Sequence, residues 1–115
     1  MLSSVPDLLV EAAARHRDRP ALVMDGSVLT YADLDAAANR MACSLNRYGV
    51  GPDDRVALWL PKSIEAIVAL WGVMKAGAAY VPIDPAAPAA RMAAVARHCE
   101  IAGLITVGAR ASDIG

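Results

Sequence analysis

Residues 74–85 read MKAGAAYVPIDP, and the fold turns on how this stretch is divided. Its Ala and Gly content admits a helix, a strand or a loop around a ligand. Just upstream, Ile64, Ile67, Val68, Trp71 and Met74 recur at helical spacing behind Ser63, a residue type that caps helices. Lys75 stands at the C-terminal end of that pattern, where a cation complements the macrodipole, and Gly77 stops it. The run AAYVPID (residues 78–84) is short and β-prone, and Asp84-Pro85 is a turn dipeptide. The stretch therefore divides into a helix end, a strand and a turn. Pro82 cannot donate to a ladder, so it puts the strand at an edge, at a bulge or at its own end.

Working outward, RVALWL (residues 55–60) is apolar at nearly every position, as expected of a strand covered on both faces, and Pro61 ends it. Beyond the turn, Pro88 to Cys99 reads as a helix with Met92, Val95, Ala96 and Cys99 inward. AGLITV (residues 102–107) is a last strand, and GARASDIG carries no pattern. From Arg55 the order is strand, helix, strand, helix, strand. Such alternation with short connections predicts a parallel sheet with helices packed on it.

Toward the N-terminus, residues 30–49 (TYADLDAAANRMACSLNRYG) form the clearest helical pattern. Thr30 is the expected N-cap, and Asp33 can reach back to it as in a capping box. Leu34, Ala37, Ala38, Met41, Leu45 and Tyr48 make the inward stripe, with Asp35, Asn39, Arg40, Asn46 and Arg47 largely off it. Gly49 sits where a left-handed residue closes the helix, and VGPDD (residues 50–54) is a turn. Before it, ALVMDGSVLTY (residues 21–31) reads as a hairpin around Asp25-Gly26, a dipeptide suited to a type I′ turn. Leu8, Leu9, Ala12 and His16 place a first helix over about Pro6 to Arg17, stopped by Pro20. The fold class is α/β: parallel-sheet βαβ layers with flanking helices, preceded by a helix and a β-hairpin.

The chain has 115 residues, the size of one domain. At 57% hydrophobic residues there is enough apolar surface for a core, but Phe is absent and much of the total is Ala, so the buried volume is modest. A net charge of −1 points to no polyanion. The basic group Arg15, His16, Arg17 and Arg19 closes a helix and is not interleaved with stacking or base-reading groups, so no nucleic-acid partner is expected. Cys43 and Cys99 lack metal-ligand spacing; each falls on an apolar helical stripe, so both are expected as buried free thiols. His16 and His98 have no paired ligands, and no metal site is expected. The N-terminus lacks a basic start and carries Asp7 and Glu11. Ala66 to Met74, the longest uncharged piece of the most apolar region, is far short of the ~20 residues of a membrane span. A cytoplasmic protein without a membrane partner is expected.

The residues offer little chemistry. Gly72 and Gly77 have the GxxxxG spacing of a phosphate loop, but Ala78-Ala79 follow where Lys-Ser or Lys-Thr is needed, and the spacing lies inside a helical pattern. Gly49 and Gly51 are followed by Asp53 and Asp54, which would repel phosphate, and Pro52 removes a donor. Asp84 before Pro85 is a turn residue that bonds its own backbone. Ser63, His98 and Asp84 have no spacing that supports a triad.

Two stretches, LTYADL (residues 29–34) and MKAGAAYVPIDP, resemble the first two motifs of the amino-acid adenylation domains of nonribosomal peptide synthetases, within the adenylate-forming enzymes. LPKSIEAIVALWGVMKAGAAYVPIDP is similar to that family throughout. RPALVMDGSVLTYADLDAAANRMACSL, DPAAPAARM and LIT extend the likeness from about Leu8 to Thr106. The second motif is specific, since Tyr80, Pro82, Asp84 and Pro85 occur together behind Lys75, Ala76 and Gly77. His98 and Cys99 depart from the family, which usually has Asp and a small residue there. The resemblance implies an incomplete N-terminal subdomain, residues 1–115 being part of a domain several times longer. It implies that Leu29, Thr30, Tyr31, Leu34, Lys75, Ala76, Gly77, Tyr80, Pro82, Asp84 and Pro85 are scaffold. No catalytic, cofactor-binding or metal residue of the family falls in this segment. The whole domain would use ATP and Mg to make aminoacyl-AMP and pyrophosphate, then load phosphopantetheine on a carrier protein. The partners implied are the rest of the domain and that carrier, and the segment alone is expected to be inactive. The alternatives are the start of an acyl- or aryl-CoA ligase, or a non-enzymatic piece completed by a partner chain.

Overall fold

The computed structural model describes residues 5–106. The elements run α1 (Val5–Arg15), β1 (Pro20–Met24), β2 (Ser27–Thr30), α2 (Tyr31–Arg47), β3 (Arg55–Trp59), α3 (Ile64–Lys75), β4 (Ala79–Pro82), α4 (Ala89–Cys99) and β5 (Gly103–Thr106). The expected α/β class and the order of its parts are observed. Val107 and the GARASDIG segment lie outside the described residues.

β1 and β2 pair antiparallel, with Val23 opposite Val28 and Met24 opposite Ser27. Asp25 and Gly26 both have positive φ (50° and 82°), as a type I′ turn requires. The other sheet has the order β4-β3-β5 and both pairings are parallel. β3 is thus central. The Pro82 expectation holds: it is the last residue of β4, opposite Leu58, on a strand that pairs along one side among the described residues.

Alternation along β3 splits the core. Val56, Leu58 and Leu60 pack with Ala69 and Val73 of α3 and with Ala42 and Leu45 of α2. Ala57 and Trp59 face the other way, onto Ile83, Ala87 and Met92, with Val95 and Ala96 of α4 against them. A third cluster joins Leu9 of α1 to Leu34 and Ala38 of α2, covered by the hairpin and by Ile67, Val68 and Trp71 of α3.

Several burial expectations need correction. On α3 the large residues Ile64, Ile67, Val68, Trp71 and Met74 are only half-buried, whereas Ala69, Gly72 and Val73 are buried. The helix lies between the sheet and α2, so two of its faces are covered and the closest approach selects small residues. A Cβ on Gly72 would overlap the Met41 side chain and come within 3.3 Å of the Ala38 carbonyl oxygen. On α2, Tyr48 is 87% exposed rather than inward, because the helix closes there and Val50 turns into the core instead. Cys43 is exposed, one residue past buried Ala42 and so rotated about 100° off the buried stripe. Cys99 is half-buried. On α1 the buried residues are Leu9 and Ala13, while Leu8 and His16 are exposed.

Three helices end in the same closure. After α2, Gly49 N–H donates to Asn46 O and Val50 N–H to Leu45 O. After α3, Gly77 N–H donates to Met74 O and Ala78 N–H to Val73 O. After α4, Glu100 N–H donates to Arg97 O and Ile101 N–H to Ala96 O. This pattern needs a left-handed residue at its corner. Gly49 and Gly77 supply it, both with φ 86°, whereas at the third corner Glu100 is held at φ 52°.

Candidate functional site

The LTYADL stretch is where the hairpin becomes α2. Thr30 Oγ1 accepts from Asp33 N–H at 3.1 Å, fixing the first turn of the helix. Leu29 and Tyr31 pack half-buried against the third cluster, and Leu34 is buried within it. Tyr31 N–H and Ala32 N–H donate to the carbonyls of Arg19 and Arg17, so the segment leaving α1 is tied to the same corner. Arg17 and Arg19 therefore act as a tether through their backbone carbonyls, and Arg15 pairs with Glu11 one turn back at 2.9 Å.

MKAGAAYVPIDP divides as the sequence predicts. Met74 and Lys75 finish α3, Ala76 and Gly77 close it, residues 79–82 are β4, and Asp84 turns the chain. Asp84 Oδ1 accepts from Ala86 N–H at 2.9 Å, and its carbonyl accepts from Ala87 N–H at 2.9 Å. That is the backbone-bonding turn expected of it. Tyr80 is exposed on β4, and Pro85 is exposed in the turn.

Lys75 does more than complement a dipole. Its side chain is 9% exposed, and Nζ donates to Asp35 Oδ1 at 2.5 Å and to Asn39 Oδ1 at 2.8 Å, both on α2. The sequence places Asp35 and Asn39 only as largely off the inward stripe of α2, which leaves these partners unread. The signal was there: they stand four apart, on one face of α2, in the helix that α3 must pack against. Beside this clamp is an open cleft of about 680 Å³, lined by Val5, Pro6, Asp7, Val10, Asn39, Met74, Lys75, Gly77 and Ala78.

Ser63, Asp84 and His98 are not brought together: the first two have local roles and the third is exposed. Ser63 Oγ accepts from Ala66 N–H at 3.1 Å and donates to Pro61 O, capping α3. Asp84 is used by its turn, and His98 is exposed in the last turn of α4. The GxxxxG pair is the packing glycine and the closing glycine of α3. Asp54 Oδ2 accepts from Gly51 N–H at 2.8 Å, so this carboxylate is spent on the turn before β3. Arg55, which the sequence did not single out, donates from a guanidinium nitrogen (Nη1) to Cys99 O at 2.7 Å and covers the C-terminus of α4. Among the described residues no group of three or more His, Cys, Asp or Glu side chains could hold a metal ion, and no helix is long and apolar enough to cross a membrane.

Capped helices, closed turns and a central parallel strand make an α/β scaffold, and comparison with known proteins gives its family. A sequence model described as AMP-binding enzyme matches residues 9–114, and the chain belongs to that family. It is 48% identical to surfactin synthase subunit 1 of Bacillus subtilis (strain 168) over 89 residues, 77% of this chain and 2% of that protein. It is 35% identical to bacitracin synthase 1 of Bacillus licheniformis over 105 residues, 91% of this chain and again 2% of the relative. Among solved structures, the Klebsiella oxytoca NpsA N-terminal subdomain in complex with 3-hydroxybenzoyl-AMSN superposes with a TM-score of 0.84 at 30% identity. That match covers 91% of this chain and 27% of the other. Within the family the chain is the N-terminal portion of an adenylation domain of the nonribosomal peptide synthetase type. It spans a small fraction of each of these relatives.

Proposed function

We propose that this chain is the scaffold-forming start of an amino-acid adenylation domain, and that residues 1–115 are one part of that domain. In the complete domain an amino acid and ATP would yield aminoacyl-AMP and pyrophosphate, with Mg on the phosphates, and the acyl group would pass to phosphopantetheine on a carrier protein. The observation that carries this reading is the 48% identity to a surfactin synthase subunit over 89 residues. A fused adenylation–PCP di-domain from Klebsiella oxytoca, NpsA-ThdA, superposes with a TM-score of 0.86 at 29% identity, which supports a carrier-type partner. Leu29, Thr30, Tyr31, Leu34, Lys75, Ala76, Gly77, Tyr80, Pro82, Asp84 and Pro85 then act by capping, turning and packing. Catalysis of this kind rests on placing phosphates and reacting groups in a charged, ordered site. The side chains described here are committed to backbone caps, turns and the α2–α3 clamp, so the segment by itself is proposed to be inactive.

The test is amino-acid-dependent ATP–pyrophosphate exchange, run on the 115-residue chain and on a version extended through the downstream reading frame. Exchange by the extended version alone supports the proposal. Exchange by the 115 residues alone overturns it. A second reading, the start of an acyl- or aryl-CoA ligase, is compatible with the fold, which a benzoate CoA ligase from Burkholderia xenovorans LB400 shares with a TM-score of 0.89 at 24% identity. If the extended version activates fatty or aromatic acids and transfers them to CoA, but no amino acid, the ligase reading replaces the first. If no extended frame exists and the chain co-purifies with a separately encoded remainder, it is a docking piece completed by that partner.

A further inference from the structure

We draw no further inference here: the strongest candidate, the open cleft between the first turn of α1, Asn39 of α2 and the α3–β4 junction, carries nothing because the Lys75 ammonium among its lining residues is already held by Asp35 and Asn39 and nothing in the structure shows what covers its apolar walls.

Discussion

Two glycines, Gly72 and Gly51, have opposite fates. Gly72 lets α3 lie against α2, and a Cβ there meets both Cβ and Cγ of Met41. Met is flexible, but its Cβ is fixed to the backbone, so a rotamer change relieves only part of the overlap. Gly72→Ala gains about 1 kcal/mol of helix propensity and loses about 1–3 kcal/mol to overpacking. The expected result is a net loss read as a lower urea midpoint, recovered only in part in the Met41→Ala, Gly72→Ala double variant, which removes the Cγ contact and keeps the Cβ one. Gly51 has open space around its Cβ position and no positive φ, so Gly51→Ala should be neutral or stabilise by up to about 1 kcal/mol. Equal losses at both glycines would mean that the α2–α3 approach is not what Gly72 serves. Glu100 is the converse case. It holds a left-handed φ of 52° and places a carboxylate at the negative end of α4. Glu100→Gly relieves both, and a gain of about 0.5–1 kcal/mol is expected in the same assay, after the entropy cost of glycine. A loss would show that the Glu100 side chain makes a contact worth more than the strain.

At the scale of elements, the α2–α3 packing is joined by one ionic contact, Lys75 to Asp35, supported by Asn39. The Lys75 side chain is 9% exposed and that of Asp35 22%, so removing the carboxylate strands the more buried charge. Asp35→Ala should therefore cost more than Lys75→Met, which removes the charge and keeps an apolar stem. Breaking a buried pair costs about 3–5 kcal/mol at full burial; with Asn39 still present and Asp35 partly wet, about 1–3 kcal/mol is expected. A four-variant urea cycle checks it: Asp35→Ala with Lys75→Met should be more stable than Asp35→Ala alone. Additive losses would mean the two side chains do not interact. The same elements show what the sequence could and could not convey. Caps and stops at Thr30, Gly49, Ser63 and Gly77 are local chemistry, and all four behave as read. The αβ alternation from Arg55 onward fixed the parallel sheet for the same reason. Burial on α3 was misread because the large residues mark one face, while the deepest positions, Ala69, Gly72 and Val73, are set by two neighbours at once. Tyr48 was misread because helical spacing continues on paper past the point where the backbone closes. As for chemistry, Ser63, Asp84 and Asp54 have backbone partners two or three residues away and His98 is exposed, which is why no spacing argument could promote them. The family was legible only as a resemblance carried by LTYADL and MKAGAAYVPIDP.

For the whole molecule, the question is whether residues 1–115 close their own surface. Along β3 they do: Val56, Ala57 and Trp59 are at most 1% exposed, and each face of the strand has its helix. The periphery is different. Val5, Leu8 and Val10 are exposed on α1, and Val23 and Val28 are directly opposite each other on the hairpin, 67% and 55% exposed. β4 and β5 each pair with β3 only, among the described residues, so each leaves one side of its backbone unpaired there. Apolar patches and open edges of this kind associate. The 115-residue chain alone should form concentration-dependent oligomers in size-exclusion chromatography with light scattering while keeping a cooperative urea transition. Val23→Thr with Val28→Lys takes the hairpin's share of that surface away without touching any core cluster. This pair should shift the distribution toward monomer and move the urea midpoint by no more than about 0.5 kcal/mol equivalent. Oligomers unchanged by the pair would place the contact on α1 or the sheet edges. A monodisperse monomer before any substitution, with a sharp transition, would show that the segment is self-sufficient and that its exposed valines do not drive association.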